Sequence, residues 1–241
     1  MCIMMVQMAG TASAQRLSLI KKHPTAGKEW DVRFGLTGEN KPGGFEYRLR
    51  EEVNVMNQVR SSVTEPLKVI VSERTNFGSY GLFRTAIDDE NYQFVLALYN
   101  KEDKPVKEYD LGQVTDAYTL EVQDIRYENG RFYFNMACPT YSDKEGGRCS
   151  KLYCLDMKSG KLVWQSDYLI SNDIFVLYGD YIFCSYGFTD ERDYLYMLDK
   201  KNGEVVSRMS LDNKACYIEV KDGKVYVIDV EQNVYVFAIE D

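Results

Sequence analysis

The side chains from which a reaction could be built are few and scattered. Among 241 residues there is one histidine, His23, beside Pro24 in a polar stretch, so any Ser-His-Asp or Cys-His mechanism would have to pass through it. A metal site made of several histidines is ruled out within one chain. Carboxylates gather at Asp88-Asp89-Glu90 and at Asp190-Glu191-Arg192-Asp193, where they could bind calcium or, as a pair held across a bond, cleave a glycoside. Both runs fall between apolar strands, where acids are the ordinary solvated composition of a hairpin. Six cysteines are present, and no two share the close spacing that zinc favours. Cys138 and Cys149 flank the loop Pro139 to Arg148 at the ends of two strands, so they are candidates for a structural disulfide worth about 2–3 kcal/mol; two free thiols are the alternative. Cys154, Cys184 and Cys216 lie in apolar strand patterns, where a thiol acts as a small hydrophobe. Gly78-Ser-Tyr-Gly81 is too short for a phosphate loop and no helix follows it.

The elements that would position these groups are announced by a phrase that occurs twice. Leu152-Tyr-Cys-Leu-Asp-Met-Lys-Ser-Gly-Lys-Leu-Val-Trp164 is followed, 43 residues on, by Leu195-Tyr-Met-Leu-Asp-Lys-Lys-Asn-Gly-Glu-Val-Val-Ser207. A repeat of that length points to sheets stacked side by side. Each copy reads as a strand, a turn and a returning strand: Asp156 and Asp199 are placed to hydrogen-bond their own turn backbones, and Gly160 and Gly203 supply the reversal. A third copy, Val234 to Ile239, reaches the end of the chain with no room for its returning strand. Upstream, Val95 to Leu98, Asn100 to Lys104 and Val106 to Leu111 fit the same template. A further strand precedes each phrase and follows its own turn: Arg131 to Phe134, Tyr181 to Cys184 and Lys224 to Ile228. About four short strands per unit make a propeller blade.

The amino-terminal third departs from this pattern. Trp30 to Leu36 and Phe45 to Leu49 alternate around a turn-rich stretch and read as a hairpin, while Glu51 to Ser62 fits helix and strand equally. Val69 to Glu73, Gly81 to Ile87 and Tyr92 to Tyr99 resume strand patterning. The fold expected is all-β: a propeller of four to five four-stranded blades, from some sixteen or seventeen strands, either incomplete or closed by an N-terminal strand. A strand from the Trp30 to Leu49 hairpin is the expected closure.

Leu155-Asp156-Met-Lys-Ser-Gly160-Lys-Leu-Val-Trp164 resembles the repeat of quinoprotein-like β-propellers, in which Asp, a small polar residue, Gly and a Trp four residues later recur. Asp199, Asn202 and Gly203 fit as well, with Ser207 in the place of the Trp. The resemblance covers Asp124 to Asp241 well and Val69 to Leu111 loosely. It implies that Asp156, Gly160, Trp164, Asp199 and Gly203 are structural, with Trp164 packed between blades. Dehydrogenases of that superfamily resemble one another in having about eight blades, adjacent cysteines over a quinone cofactor and a stacking Trp; this chain has no adjacent cysteines, and its other tryptophan is Trp30. No cofactor, no metal and no catalytic residue is expected, in keeping with the superfamily's scaffolding members.

Composition bounds the partners. With 29 basic against 37 acidic residues the net charge is −8, which opposes nucleic acid, and no run of eighteen apolar residues is present to span a membrane. Thr11-Ala-Ser-Ala14-Gln15 has the small-x-small pattern of a signal-peptidase site after a mostly apolar stretch, although the usual positive region is missing; an ordinary terminus is the alternative. The organisation expected is a signal-like remnant over 1–14, a flexible segment over 15–27 and one propeller-like domain over 28–241. The function expected is an exported, periplasmic or cell-surface scaffold that binds a protein or ligand without catalysis. The alternative is a carbohydrate-binding or carbohydrate-active propeller using loop carboxylates.

Overall fold

Paired residues at positive φ reverse the chain within the repeats. At Asn129-Gly130 and Asp222-Gly223 both residues take positive φ, the two-residue geometry that matches the twist of antiparallel strands. The computed structural model describes residues 15–23, 68–86, 92–117, 120–138, 141–188 and 191–240. Within them sixteen strands form four four-stranded antiparallel sheets.

Blade I is β2 (Lys68–Arg74), β3 (Ser79–Ala86), β4 (Tyr92–Tyr99) and β5 (Pro105–Asp110). Blade II is β6 (Glu121–Glu128), β7 (Arg131–Ala137), β8 (Lys151–Asp156) and β9 (Leu162–Gln165). Blade III is β10 (Phe175–Tyr178), β11 (Tyr181–Tyr186), β12 (Tyr194–Asp199) and β13 (Val205–Ser210). Blade IV is β14 (Ala215–Lys221), β15 (Lys224–Asp229), β16 (Val234–Glu240) and, from the other end of the sequence, β1 (Arg16–His23). Successive strands are neighbours in every sheet, and only the β16–β1 pairing crosses the chain. A five-residue helix, α1 (Leu111–Thr115), capped by the Asp110 carboxylate on the Gln113 N–H, leads from blade I to blade II.

The burial pattern follows from stacking. Second and third strands are covered on both faces, as in β7 and β12, so they read as apolar runs rather than alternations. Outer strands are wetter: β5 buries Tyr109 and exposes Pro105 through Glu108. Buried clusters bridge consecutive sheets. Leu96, Phe134 and Leu155 belong to one that joins blades I and II, Leu152, Ile182 and Leu198 to one that joins II and III, and Phe183, Val227 and Phe237 to one that joins III and IV. The molecule is therefore a β-propeller with four described blades.

One expectation is corrected. The returning strand missing after β16 is supplied by Arg16–His23, inside the segment read as flexible, and not by the Trp30 to Leu49 hairpin. That hairpin and Glu51 to Ser62 lie outside the described residues, as do residues 1–14. The signal for β1 is weak because Leu17 and Leu19 alternate for only one period before a register shift between Leu19 and Lys21 breaks the pattern. His23, expected outside the repeats, closes β1 opposite Val234.

Candidate functional site

The repeated phrase becomes a repeated joint. In blade II the Asp156 carboxylate accepts from the Ser159 N–H and hydroxyl, both at 2.7 Å, which hold its pKa below the ordinary value, and the Gly160 N–H donates to the Asp156 carbonyl at 2.8 Å. In blade III the Asp199 carboxylate accepts from the Lys201 N–H at 2.7 Å, and the Gly203 N–H donates to the Asp199 carbonyl at 2.8 Å. Both glycines sit at positive φ, +70° and +76°. On each turn rests an aromatic ring from the preceding blade's outer strand. Trp164 of β9 covers Gly203 so closely that a Cβ there would strike the indole, while its Nε1–H donates to the Lys200 carbonyl at 3.1 Å. Tyr109 of β5 covers Gly160 in the same way and donates its hydroxyl to the Met157 carbonyl. Met157 and Lys200 each follow the turn aspartate by one residue, so the two joints occupy the same position in the repeat. Sequence reading identified Trp164 and missed Tyr109, although Tyr109 is the one buried aromatic of a strand already read as the returning partner.

Because strand direction alternates, the loops between second and third strands share a face with the connections between blades. On that face Cys138 and Cys149 are joined by a disulfide, their Cα atoms 5.6 Å apart. The loop they close carries a 3₁₀ turn, Ser142–Glu145, and is latched to blade III: the Glu191 carboxylate accepts from the Ser142 N–H at 3.0 Å, from its hydroxyl at 2.9 Å and from the Tyr186 hydroxyl. The Tyr141 and Phe188 rings meet across the same seam, 5.8 Å between centroids. Glu191, read from sequence as a solvated turn acid, is thus a tie between blades. Asp193 also departs from that reading. Its carboxylate lies over Gly187, where no side chain would fit, its Oδ1 is buried without a partner, and burial lifts its pKa to about 6, with Lys214 opposing and Asp229 and Glu191 reinforcing the shift. Asp88 to Glu90 and Asp190 lie outside the described residues.

Below this seam a groove of about 520 Å³ opens between the exit of blade II and the face of blade III. Tyr168 forms one lip, 44% exposed, with the Lys151 ammonium 4.0 Å from its ring centroid. On the opposite wall the Arg208 guanidinium lies 4.6 Å from the Tyr194 ring centroid. Val205, 44% exposed, Arg192 and two acids, Asp167 and Glu191, also line it. These residues come from a connection, a loop and two strands, so no sequence spacing marks them. A second depression, of about 580 Å³, lies on the opposite face around Arg131 and an ion pair between Lys200 and Glu128, 2.5 Å long.

Two of the thiols are buried in strands. Burial raises the Cys154 thiol to about 11 and the Cys184 thiol to about 12, so both are protonated at neutral pH and behave as packing. Among the described residues no group of three or more His, Cys, Asp or Glu is arranged to hold a metal, and no helix is long and apolar enough to cross a membrane.

The fold and this lining define the class as a β-propeller with an aromatic groove, edged by charges of both signs, at one blade junction. Neither a protein-family model nor a curated protein matches the sequence. Solved propellers do. BamB from Moraxella catarrhalis aligns over 73% of this chain and 70% of its own, at 12% identity and a TM-score of 0.34. The WD40 β-propeller domain of Doa1 aligns over 70% and 63%, at 11% identity and a TM-score of 0.43. The β-propeller domain of the trilobed protease from Pyrococcus furiosus, described as having an open velcro topology, aligns over 67% of this chain and 48% of its own, at 11% identity and a TM-score of 0.44. These are likenesses of fold alone.

Proposed function

We propose that this chain is a non-catalytic, exported binding module that engages a protein partner through the groove between blades II and III. The observation that carries the reading is the groove itself: an open cavity of about 520 Å³ whose lining is dominated by tyrosine and arginine, the residues that concentrate binding energy at protein interfaces. The walls are preorganised, since the Glu191 latch fixes one rim and the Trp164 joint fixes the two blades that form the groove. Export is supported by the small-x-small sequence before Gln15 and by the Cys138–Cys149 disulfide, which is stable in oxidising compartments. Amino-terminal sequencing of the protein isolated from the cell envelope should then begin at Gln15; recovery from the cytosol with residues 1–14 attached would overturn the export reading.

The binding reading is tested with a photo-cross-linking residue at position 168 in the full chain. Cross-links to a partner at 168, absent when the probe replaces Lys101 on the opposite face, are expected. Identical captures from both positions would sink the assignment. A saccharide reading has one feature in its favour, the exposed Tyr168 ring beside the Asp167 carboxylate. It predicts competition by free oligosaccharide.

A further inference from the structure

Three buried oxygens without partners gather around one residue of blade III. Asn172 and Ser185 are each 1% exposed, and the Asn172 Oδ1, the Ser185 Oγ and the Asp193 Oδ1 are all buried with no hydrogen-bond partner. One short stretch, Ser185 to Gly187, holds them together. The Asn172 N–H donates to the Ser185 carbonyl and its Nδ2 to the Gly187 carbonyl, both at 2.8 Å, so the amide nitrogen is engaged and the amide oxygen is not. Gly187 follows β11 directly, and Ser185, two residues earlier, faces the same side. The Asp193 carboxylate lies over Gly187, in space that any side chain there would fill. A buried acceptor without a donor is costly, and a buried carboxylate more so.

The field at this place is negative. Asp229 and Glu191 add their charges to that of Asp193, and Lys214, which opposes them, is itself paired with Asp173 at 2.5 Å. The neighbouring acids are occupied: Asp229 accepts from Asn213, Asn233 and Tyr235, and Glu191 from Ser142 and Tyr186. Among these four carboxylates, Asp193 alone has a buried oxygen without a partner. Carboxylate, amide and hydroxyl oxygens are hard donors, the kind that calcium takes in a flexible shell of roughly six to eight oxygens, whereas zinc favours nitrogen and sulfur. Only one of the three donors is a carboxylate, so the site is unlike a cluster of His, Cys and acids.

We propose that the Asn172 Oδ1, the Ser185 Oγ and the Asp193 Oδ1 bind a hard divalent cation of the calcium type, with water completing its shell. The cation ties the segment that enters β10 to the start of β12 across the end of β11. It thereby stiffens the rim of blade III from which Glu191 and Tyr194 reach the groove. A single carboxylate in the shell sets the affinity at the weak end, with Kd on the order of 10⁻⁴–10⁻³ M.

The test uses the full chain and calcium chloride, with ionic strength held by choline chloride. Relative to about 1 mM EDTA, about 10 mM calcium should raise the melting temperature by at least about 3 °C. Terbium bound in place of calcium should luminesce on excitation of tyrosine, since Tyr186 and Tyr194 adjoin Gly187 and Asp193 in the sequence, and calcium should displace it. Asp193→Asn, which keeps the shape of the side chain, should bind terbium at least about tenfold more weakly and lose the calcium shift. Its melting temperature in EDTA, expected at or above that of the parent, separates lost binding from lost fold. Ser185→Ala should weaken terbium binding by less, and Asp103→Asn in a turn of blade I should leave it unchanged. A parent chain that melts at the same temperature in EDTA and in calcium holds water alone between these oxygens, which would overturn the site. So would an equal calcium shift in Asp193→Asn, because the cation would then lie elsewhere.

Discussion

The junction between blades II and III and the junction between blades III and IV join the same kind of sheet by different means. At the first, Trp164 of one blade covers the glycine turn of the next and donates to its backbone. At the second, the position that corresponds to Trp164 is Ser207, whose hydroxyl accepts from the Leu17 N–H at 3.1 Å. The reason is topological. Blade IV has no covalent turn between its third and outer strands, because the outer strand is β1, so there is nothing for an indole to rest on. The polar character goes further: the Lys214 ammonium reaches Asp173 at 2.5 Å, and its charge also bears on Asp193, whose Oδ1 is buried. An aromatic joint thus accompanies a continuous chain, and a hydrogen-bonded joint accompanies a strand that must arrive from elsewhere.

That contrast can be broken in several places. Trp164→Ala should cost about 3–5 kcal/mol in urea unfolding, since a large, nearly buried ring is removed and its seat on the turn is left empty. Gly203→Ala should cost about 2–3 kcal/mol, from left-handed backbone strain and collision with the indole. In the double variant the collision disappears, so the two costs should fall short of their sum by at least about 1 kcal/mol; strict additivity would mean that ring and turn do not act together. At the other junction, Leu17→Ala should cost about 2 kcal/mol and raise hydrogen exchange in β16 ahead of β12. Uniform acceleration across all strands would argue against a separable clasp.

Asp193 sharpens the comparison through pH. Its carboxyl pKa is raised to about 6 from 3.8, so the native state binds its proton more tightly than the unfolded chain does. The resulting destabilisation is full above pH 6 and fades as pH falls toward 4. Asp193→Asn should therefore stabilise the protein at pH 7.5 by about 1 kcal/mol and flatten the melting temperature between pH 4 and 6. A variant whose pH profile parallels that of the parent would exclude this carboxyl as the cause. The smallest effect belongs to Ser207→Ala, which removes one hydrogen bond and should cost about 0.5–1 kcal/mol by thermal unfolding.

The blades were legible where a local rule fixes the backbone. Asp156 with Gly160 and Asp199 with Gly203 spell a reversal within a few residues, and the strands around them follow from apolar runs covered on both faces. The closing strand was not legible, because β1 is an outer strand that buries Leu17, exposes Leu19 and Ile20, and carries a register shift. Nor was the groove. Tyr168, Tyr194 and Arg208 are brought together by the stacking of two sheets, and stacking leaves no period in the chain. Glu191 was seen as part of an acidic run, but its role depends on Ser142, 49 residues away.

The clasp also sets a timetable. β1 is synthesised well before β16: Ser18 and Glu240, bonded across the clasp, lie 222 residues apart in the sequence. At about 5–20 residues per second, β1 waits on the order of 10–40 s for its partner to leave the ribosome. Blades I to III can assemble in order during that interval, while β1 remains an unpaired strand with two exposed apolar side chains, Leu19 and Ile20. Lys21 and Lys22 stand beside them in the sequence, and charges so placed oppose the pairing of one waiting strand with another. Completion of blade IV is thereby reserved for a chain in which β16 has been made.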